Sequence, residues 1–209
     1  KDFQHIIVLD DCKGKQIKFP DSKTMFIYRK GHNGHIANFV YAIAQANINA
    51  DEDIICDLDL DDRLLNDDAL AVVNRVYTSM PQKVLTYGSY VTASLNSPKN
   101  LGNYKNDNFR QQRWKASHLK TFKYGLFRRI KNRDLKGKNG RYFLCCSDLA
   151  MMFPMMEMAG LDRIQYIRKN IYFYNDISPY NDHKVHKEEQ IRTAKYLRAK
   201  KQYKRVEVL

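Results

Sequence analysis

Apolar positions recur along this chain in two periods, and the elements they predict alternate. Gln4–Leu9 is a short apolar run ending on Asp10-Asp11, the pattern of a buried strand that delivers two carboxylates at its end. Thr24–Tyr28 reads as a second strand. Across His35–Asn49, Ile36, Phe39, Val40, Ile43 and Ala44 fall on one helical stripe behind the turn-forming Asn33-Gly34. Asp53–Leu58 reads as a strand that runs into a group of acids. Asn66 is placed to cap a helix over Asp67–Met80, and Lys83–Thr92 returns to strand. Residues 94–116 are polar and predict a long surface loop, a segment type often used as a functional lid. His118–Ile130 has a helical pattern, and Lys136–Arg141 is a basic turn. Ser147 is a candidate cap for a helix over Asp148–Gly160, which Pro154 should kink or break. Ile164–Tyr174 alternates as a strand or hairpin, and His186–Tyr203 predicts a basic helix. Strand–helix alternation of this kind predicts an α/β fold with a mostly parallel central sheet flanked by helices.

Composition narrows this to one domain spanning residues 1–209. A 44% hydrophobic share suffices for one core, and a 28% charged share argues against membrane burial and against wholesale disorder. No apolar run approaches the ~20 residues that cross a bilayer. The opening Lys-Asp-Phe-Gln-His is no signal peptide, and four cysteines without CxxC spacing suggest neither a zinc site nor a disulfide framework. Together these predict a reducing, cytoplasmic setting.

Charge is distributed unevenly around the net +13. Residues 51–68 carry nine acids and one base, Arg63, whereas residues 99–142 carry fourteen Lys/Arg against Asp107 and Asp134. Residues 184–205 carry nine more against Glu188 and Glu189. An acidic knot inside a basic protein suggests a cation site facing anionic ligands. Solvated faces, or nucleic-acid binding through phosphate neutralisation, are the alternatives for the basic stretches; no recognised nucleic-acid motif accompanies them.

The knot itself reads Asp57-Leu58-Asp59-Leu60-Asp61-Asp62. Strand alternation would point 57, 59 and 61 to one face, and clustered carboxylates repel unless solvent or a cation relieves them. A calcium hand would use Asp57, Asp59, Asp61 and Asp68, but its sixth position wants glycine where this chain has Asp62. An Asp-x-Asp at the carboxyl edge of an α/β sheet instead fits Mg²⁺ or Mn²⁺ bridging a nucleotide diphosphate.

The set Asp10-Asp11, Asn33-Gly34…Asn38, Ile54–Leu64, Ser117–Phe122, Ser147–Ala150 and Tyr180–Val185, in that order, resembles the family-2 type of GT-A nucleotide-sugar glycosyltransferases, in a subgroup seen in viruses and microbes. The resemblance spans about residues 4–186. It implies a GT-A-like domain that moves a sugar from a nucleoside-diphosphate donor, UDP-linked, to a hydroxyl of a glycan, lipid or protein acceptor, with inversion. It further implies Asp10, Asp11, Asn33, Asp59 and Arg63 at the donor, and Asp59, Asp61 and His183 around Mn²⁺ or Mg²⁺. Asp148 takes the place of the general base and His118 that of an acceptor contact. A carboxylate suits the base because the attacking hydroxyl must lose a proton as it attacks. The family's usual first strand and helix have no counterpart before Asp10, so either further residues precede this sequence or the fold is trimmed. A nucleotidyltransferase, an inactive nucleotide-sugar-binding domain and a nucleic-acid-binding module are the rival readings. The basic character also fits contact with a membrane surface.

Overall fold

A computed structural model describes residues 4–10, 23–49, 52–179 and 181–207. Asp11 and Cys12 lie outside the described residues, as does the side chain of His183. The domain is mixed α/β. Strands β1 (His5–Asp10) and β2 (Thr24–Arg29) pair in parallel from His5↔Thr24 to Asp10↔Arg29, and helix α1 (His35–Gln45) packs against β1. The remaining strands are β3 (Ile54–Asp57), β4 (Arg63–Leu64), β5 (Leu85–Thr92), β6 (Pro98–Lys99), β7 (Lys120–Lys123) and β8 (Ile164–Tyr174). They form a second sheet in the order β3-β7-β5-β8-β4, with β6 on β5. This sheet is not mostly parallel. Only β5 and β8 run together in it; β3–β7, β5–β7, β5–β6 and β4–β8 are all antiparallel.

The reversal comes from β7. Residues 118–130 form no single helix: Lys120–Lys123 is a strand, followed by the short helix α3 (Tyr124–Phe127). β7 lies between β3 and β5 with Lys120, Thr121 and Phe122 all buried, so its side chains do not alternate with solvent. Gly88 of β5 admits the β7 approach, since a Cβ there would sit 3.2 Å from the His118 carbonyl oxygen.

Helices cover both faces of the sheet. Helix α2 (Ala69–Ser79) lays Ala69 and Val73 against Leu119, Ile167, Ile171 and Tyr172. The even-numbered side of β5 faces it, where Thr86 and the Tyr77 hydroxyl both meet the Thr121 hydroxyl. Neither Asn66 nor Asp68 caps α2 by a side-chain bond; Asn66 donates instead to the Asn170 carbonyl. Opposite lies the larger core, built on helix α4 (Ser147–Ala159), which is buried from Ala150 to Ala159. An all-round apolar helix belongs inside. It runs through Pro154 unbroken, starts from Cys146 in a left-handed conformation rather than from a Ser147 cap, and stops at Gly160, φ 76°. Phe39 of α1 joins this core against Phe127, 4.9 Å between ring centroids.

The segment 94–116 is not merely surface. Tyr104 and Phe109 are core residues, and the Arg110 guanidinium, itself buried, forms a bidentate pair with buried Glu157 at 2.5 and 2.9 Å. Arg110 also donates to the Leu197 carbonyl of the last helices, α5 (Asp182–Val185) and α6 (Lys187–Ala199). Beyond α6 the chain runs along α4: Tyr203 N–H donates to Glu157 at 3.0 Å, and Val206 N–H to the Met158 carbonyl at 3.0 Å. No helix among the described residues is long and apolar enough to cross a membrane.

Candidate metal centre

Topology collects the acidic knot at one sheet edge. β3, β5 and β8 all end there, and antiparallel β7 begins there, so Asp57 pairs in register with Lys120 and the next residues of β3 meet His118. The chain then turns rather than continuing as strand: Asp62 N–H donates to the Asp59 carbonyl at 3.1 Å, before β4. This turn changes which acids converge. Asp61 is exposed, whereas Asp62 swings inward to accept from the Tyr172 hydroxyl at 2.5 Å and the Asn175 N–H at 2.7 Å. Asp59, Asp62 and His118 then offer ligand atoms within 4.8 Å of one another. The alternation that would align 57, 59 and 61 stops at Asp57.

His118 is held rigidly for this role. Its ring stacks on Tyr172 at 4.6 Å and on Tyr174 at 5.3 Å, with Tyr90 edge-on at 5.9 Å. Burial, with the Lys120 charge nearby, lowers its pKa, so the imidazole is neutral and can offer a lone pair. Its Nδ1 is buried, makes no hydrogen bond, and lies 3.9 Å from the Asp59 carboxylate. An orphaned ring nitrogen facing carboxylate oxygens is a donor set that suits a borderline or hard divalent cation. Burial, opposed by the Asn175 and Tyr172 hydrogen bonds and assisted by Asp59 and Asp61, pushes the Asp62 carboxyl up to about 6.

Beside this group is a buried run of charge. Lys120, 2% exposed, bonds the Asp148 carboxylate and lies 3.4 Å from Asp57. Asp57 accepts from His35 at 3.0 Å, and His35 also approaches Asp59 at 3.9 Å. Burial opposes the His35 charge, but the Asp57 and Asp59 carboxylates outweigh it and hold the imidazolium up to about 9. Burial raises Asp57 and Asp148 in turn, yet His35 and Lys120 pull the former, and Lys120 the latter, below the carboxylate range. The four carboxylates Asp57, Asp59, Asp62 and Asp148 thus face two cations, His35 and Lys120. The site is short of about two positive charges, a deficit equal in size to the charge of a divalent ion.

Other residues singled out in the sequence fall around this centre. Asp10 closes the loop before His35: it accepts from Asn33 N–H at 2.6 Å, the Asn33 side chain at 2.7 Å and Gly34 N–H at 3.1 Å. Although burial opposes it, those bonds keep its carboxyl below the usual range. Gly34 takes a left-handed conformation, φ 80°, and a Cβ there would stand 3.0 Å from the Leu144 side chain. Asp10 and Asn33 therefore shape the approach to His35 together. Arg63 is exposed and lies over the Phe173 ring at 4.3 Å. Asp148 sits in the first turn of α4 with its side chain 28% exposed. Asp62, His35, Lys120 and Tyr172 were not distinguished by the sequence pattern. Lys120, set between Leu119 and Phe122, was the one available signal for a buried charge there. The chain matches no protein-family model and no curated protein.

Proposed function

We propose that this protein transfers a sugar from a nucleoside-diphosphate donor, UDP-linked, to an acceptor hydroxyl, with Mn²⁺ or Mg²⁺ held by Asp59, Asp62 and His118. The observation that carries the reading is the buried, unpartnered His118 Nδ1 facing Asp59 and Asp62 in a site with excess negative charge. When bound, the cation supplies charge stabilisation to a departing diphosphate. The chain's own groups do the rest. Asp10 and Asn33 set the loop against which the nucleoside rests, and Arg63, exposed at the rim, meets the donor's negative charge. Lys120 bonds Oδ1 of Asp148 and fixes that carboxylate, so the acceptor proton goes to Oδ2. A lysine-paired carboxylate is a weak base, and it suits a reaction in which the hydroxyl loses its proton late, as the anomeric carbon becomes cation-like. Direct displacement by a hydroxyl activated in this way inverts the anomeric centre.

Calorimetric titration of UDP and UDP-sugars with and without Mn²⁺ tests the reading. Mn²⁺-dependent binding should be present in the native chain and lost in Asp59→Ala and Asp62→Ala. A folded native chain that binds no UDP in the presence of Mn²⁺, or binds it equally in both variants, would sink it.

A further inference from the structure

We infer that two basic stretches, distant in sequence, form one face that binds a single-stranded nucleic acid. Residues 131–142 carry five Lys/Arg and residues 193–204 carry five more, against one acid, Asp134. The fold brings the two together. Lys131 N–H donates to the Tyr203 hydroxyl at 3.0 Å, and that hydroxyl donates to Asp134 at 2.6 Å. The Lys200 ammonium pairs with the same carboxylate at 2.9 Å, and Phe143 meets Tyr196 of α6 at 6.1 Å between ring centroids. The one acid is thus consumed inside the seam. Of the acids bordering the strap after α6, Glu157 is buried against Arg110 and Asp162 is paired with Arg205 at 2.6 Å. Asp107 stands beside Arg205, and Glu188 and Glu189 stand at the start of α6, all outside the two stretches. Lys131, Arg133, Lys138 and Arg141 are exposed on one side of the seam. Lys195, Lys201 and Lys204 are exposed on the other, and among the described residues none of these bases forms an ion pair.

Bases at this density repel one another, and a chain of phosphates relieves them. Arg133 and Arg141 add planar guanidinium forks, which take phosphate oxygens in pairs. The rings select the kind of chain. Tyr142 and Tyr196 lie half-buried among the bases, and each has an ammonium over it, Lys136 at 4.7 Å and Lys200 at 5.5 Å. The Tyr142 hydroxyl donates to Asn132 at 2.9 Å, which fixes that ring. A flat ring beside a fixed cation matches a nucleotide, whose base stacks while its phosphate meets the charge. Stacking needs an unpaired base, so the occupant is a single strand. A bilayer fits less well, since among the described residues neither stretch has a large exposed apolar side chain to enter it. The face uses none of Asp59, Asp62, His118 or Asp148, so the inference stands apart from the transfer reading.

The test is fluorescence anisotropy of a labelled oligonucleotide of about 16 nucleotides, titrated with the full chain at several salt concentrations. The strand should bind, and log Kd should rise with log salt at a slope of about 3, as expected for roughly four phosphates. Arg133→Ser with Arg141→Ser, and Lys201→Ser with Lys204→Ser, should each weaken binding at least tenfold and flatten that slope by about 1.4. Tyr142→Leu, which keeps an apolar side chain in place, should weaken binding about tenfold and leave the slope unchanged. Lys169→Ser, on β8 and paired with Asp68, should change nothing. Thermal melts of the charge variants should match the native chain, because these side chains are exposed. No binding at low salt, or affinity and slope unmoved in both double variants, would overturn the proposal. Equal affinity for a duplex or for inorganic polyphosphate of matched charge, indifferent to Tyr142→Leu, would overturn it by assigning the face to charge alone. Capture by phosphatidylglycerol vesicles without oligonucleotide binding would overturn it by assigning the face to a membrane.

Discussion

Two buried charge clusters lie among the described residues, and they are closed differently. Around Arg110 every strong group has an answer: Glu157 takes the guanidinium in two bonds, Leu197 takes a third, and Tyr203 N–H completes the carboxylate. Around Lys120 the accounts are left open. Asp57 and Asp148 share one ammonium, the His35 and His118 Nδ1 atoms have no hydrogen-bond partner, and carboxylates outnumber cations. A buried ion pair with every lone pair and proton satisfied holds elements in place; an unbalanced one awaits a further charge. The contrast separates a cluster that fixes the fold from one that invites a ligand.

The largest effect should come from breaking the closed cluster. Arg110→Ala leaves Glu157 buried and uncompensated, and should cost about 3–5 kcal/mol in urea unfolding. Lys120→Met comes next. Asp57 loses one of its two cations and Asp148 its bonded partner, so a loss of about 3 kcal/mol is expected, smaller because Asp148 reaches solvent. The third effect is one of pH, measured with metal removed by a chelator. His35 is raised from 6.5 to about 9, so its contribution is complete below pH 6.5 and is lost as pH rises through 9. Stability should fall by about 3 kcal/mol over that window and stay flat in His35→Gln. Smallest, and opposite in sign, is Asp62→Asn. Removing one carboxylate from an over-negative, metal-free site should leave stability unchanged or raise it by about 1 kcal/mol, while Mn²⁺ affinity drops at least tenfold. Were Asp62→Asn as destabilising as Arg110→Ala, the two clusters would be alike and the comparison would fail.

Much of the fold was legible where apolar residues recur in a regular period or a continuous run. The strands β1, β2, β3 and β5 and the helices α1, α2 and α6 show their period in sequence, and the structure places them within a few residues of expectation. β7 was hidden because it is covered on both faces and fills them with polar groups: Lys120 reaches the acids, and Thr121 bonds Thr86 and Tyr77. Polar residues in buried positions imitate a helical pattern, and with β7 misread the antiparallel pairing was lost too. The centre was half legible. Asp59 stood out because Asp-x-Asp closes a strand. Asp62 did not, because the turn that brings it inward rests on Tyr172 and Asn175, more than a hundred residues later. Distant hydrogen bonds leave no local period to read.

The strap of chain after α6 bears on how the protein is made. Glu157 and Arg110 can find each other once α4 exists, but Leu197, Tyr203 and Val206 supply the carbonyl and N–H groups that finish the seal. While those residues are still inside the ribosomal tunnel, the nascent domain carries its central methionine-rich helix with one side unlatched. Final closure therefore waits until residues 197–206 have emerged, and until then the growing polypeptide is a natural client for chaperones that shield apolar surface.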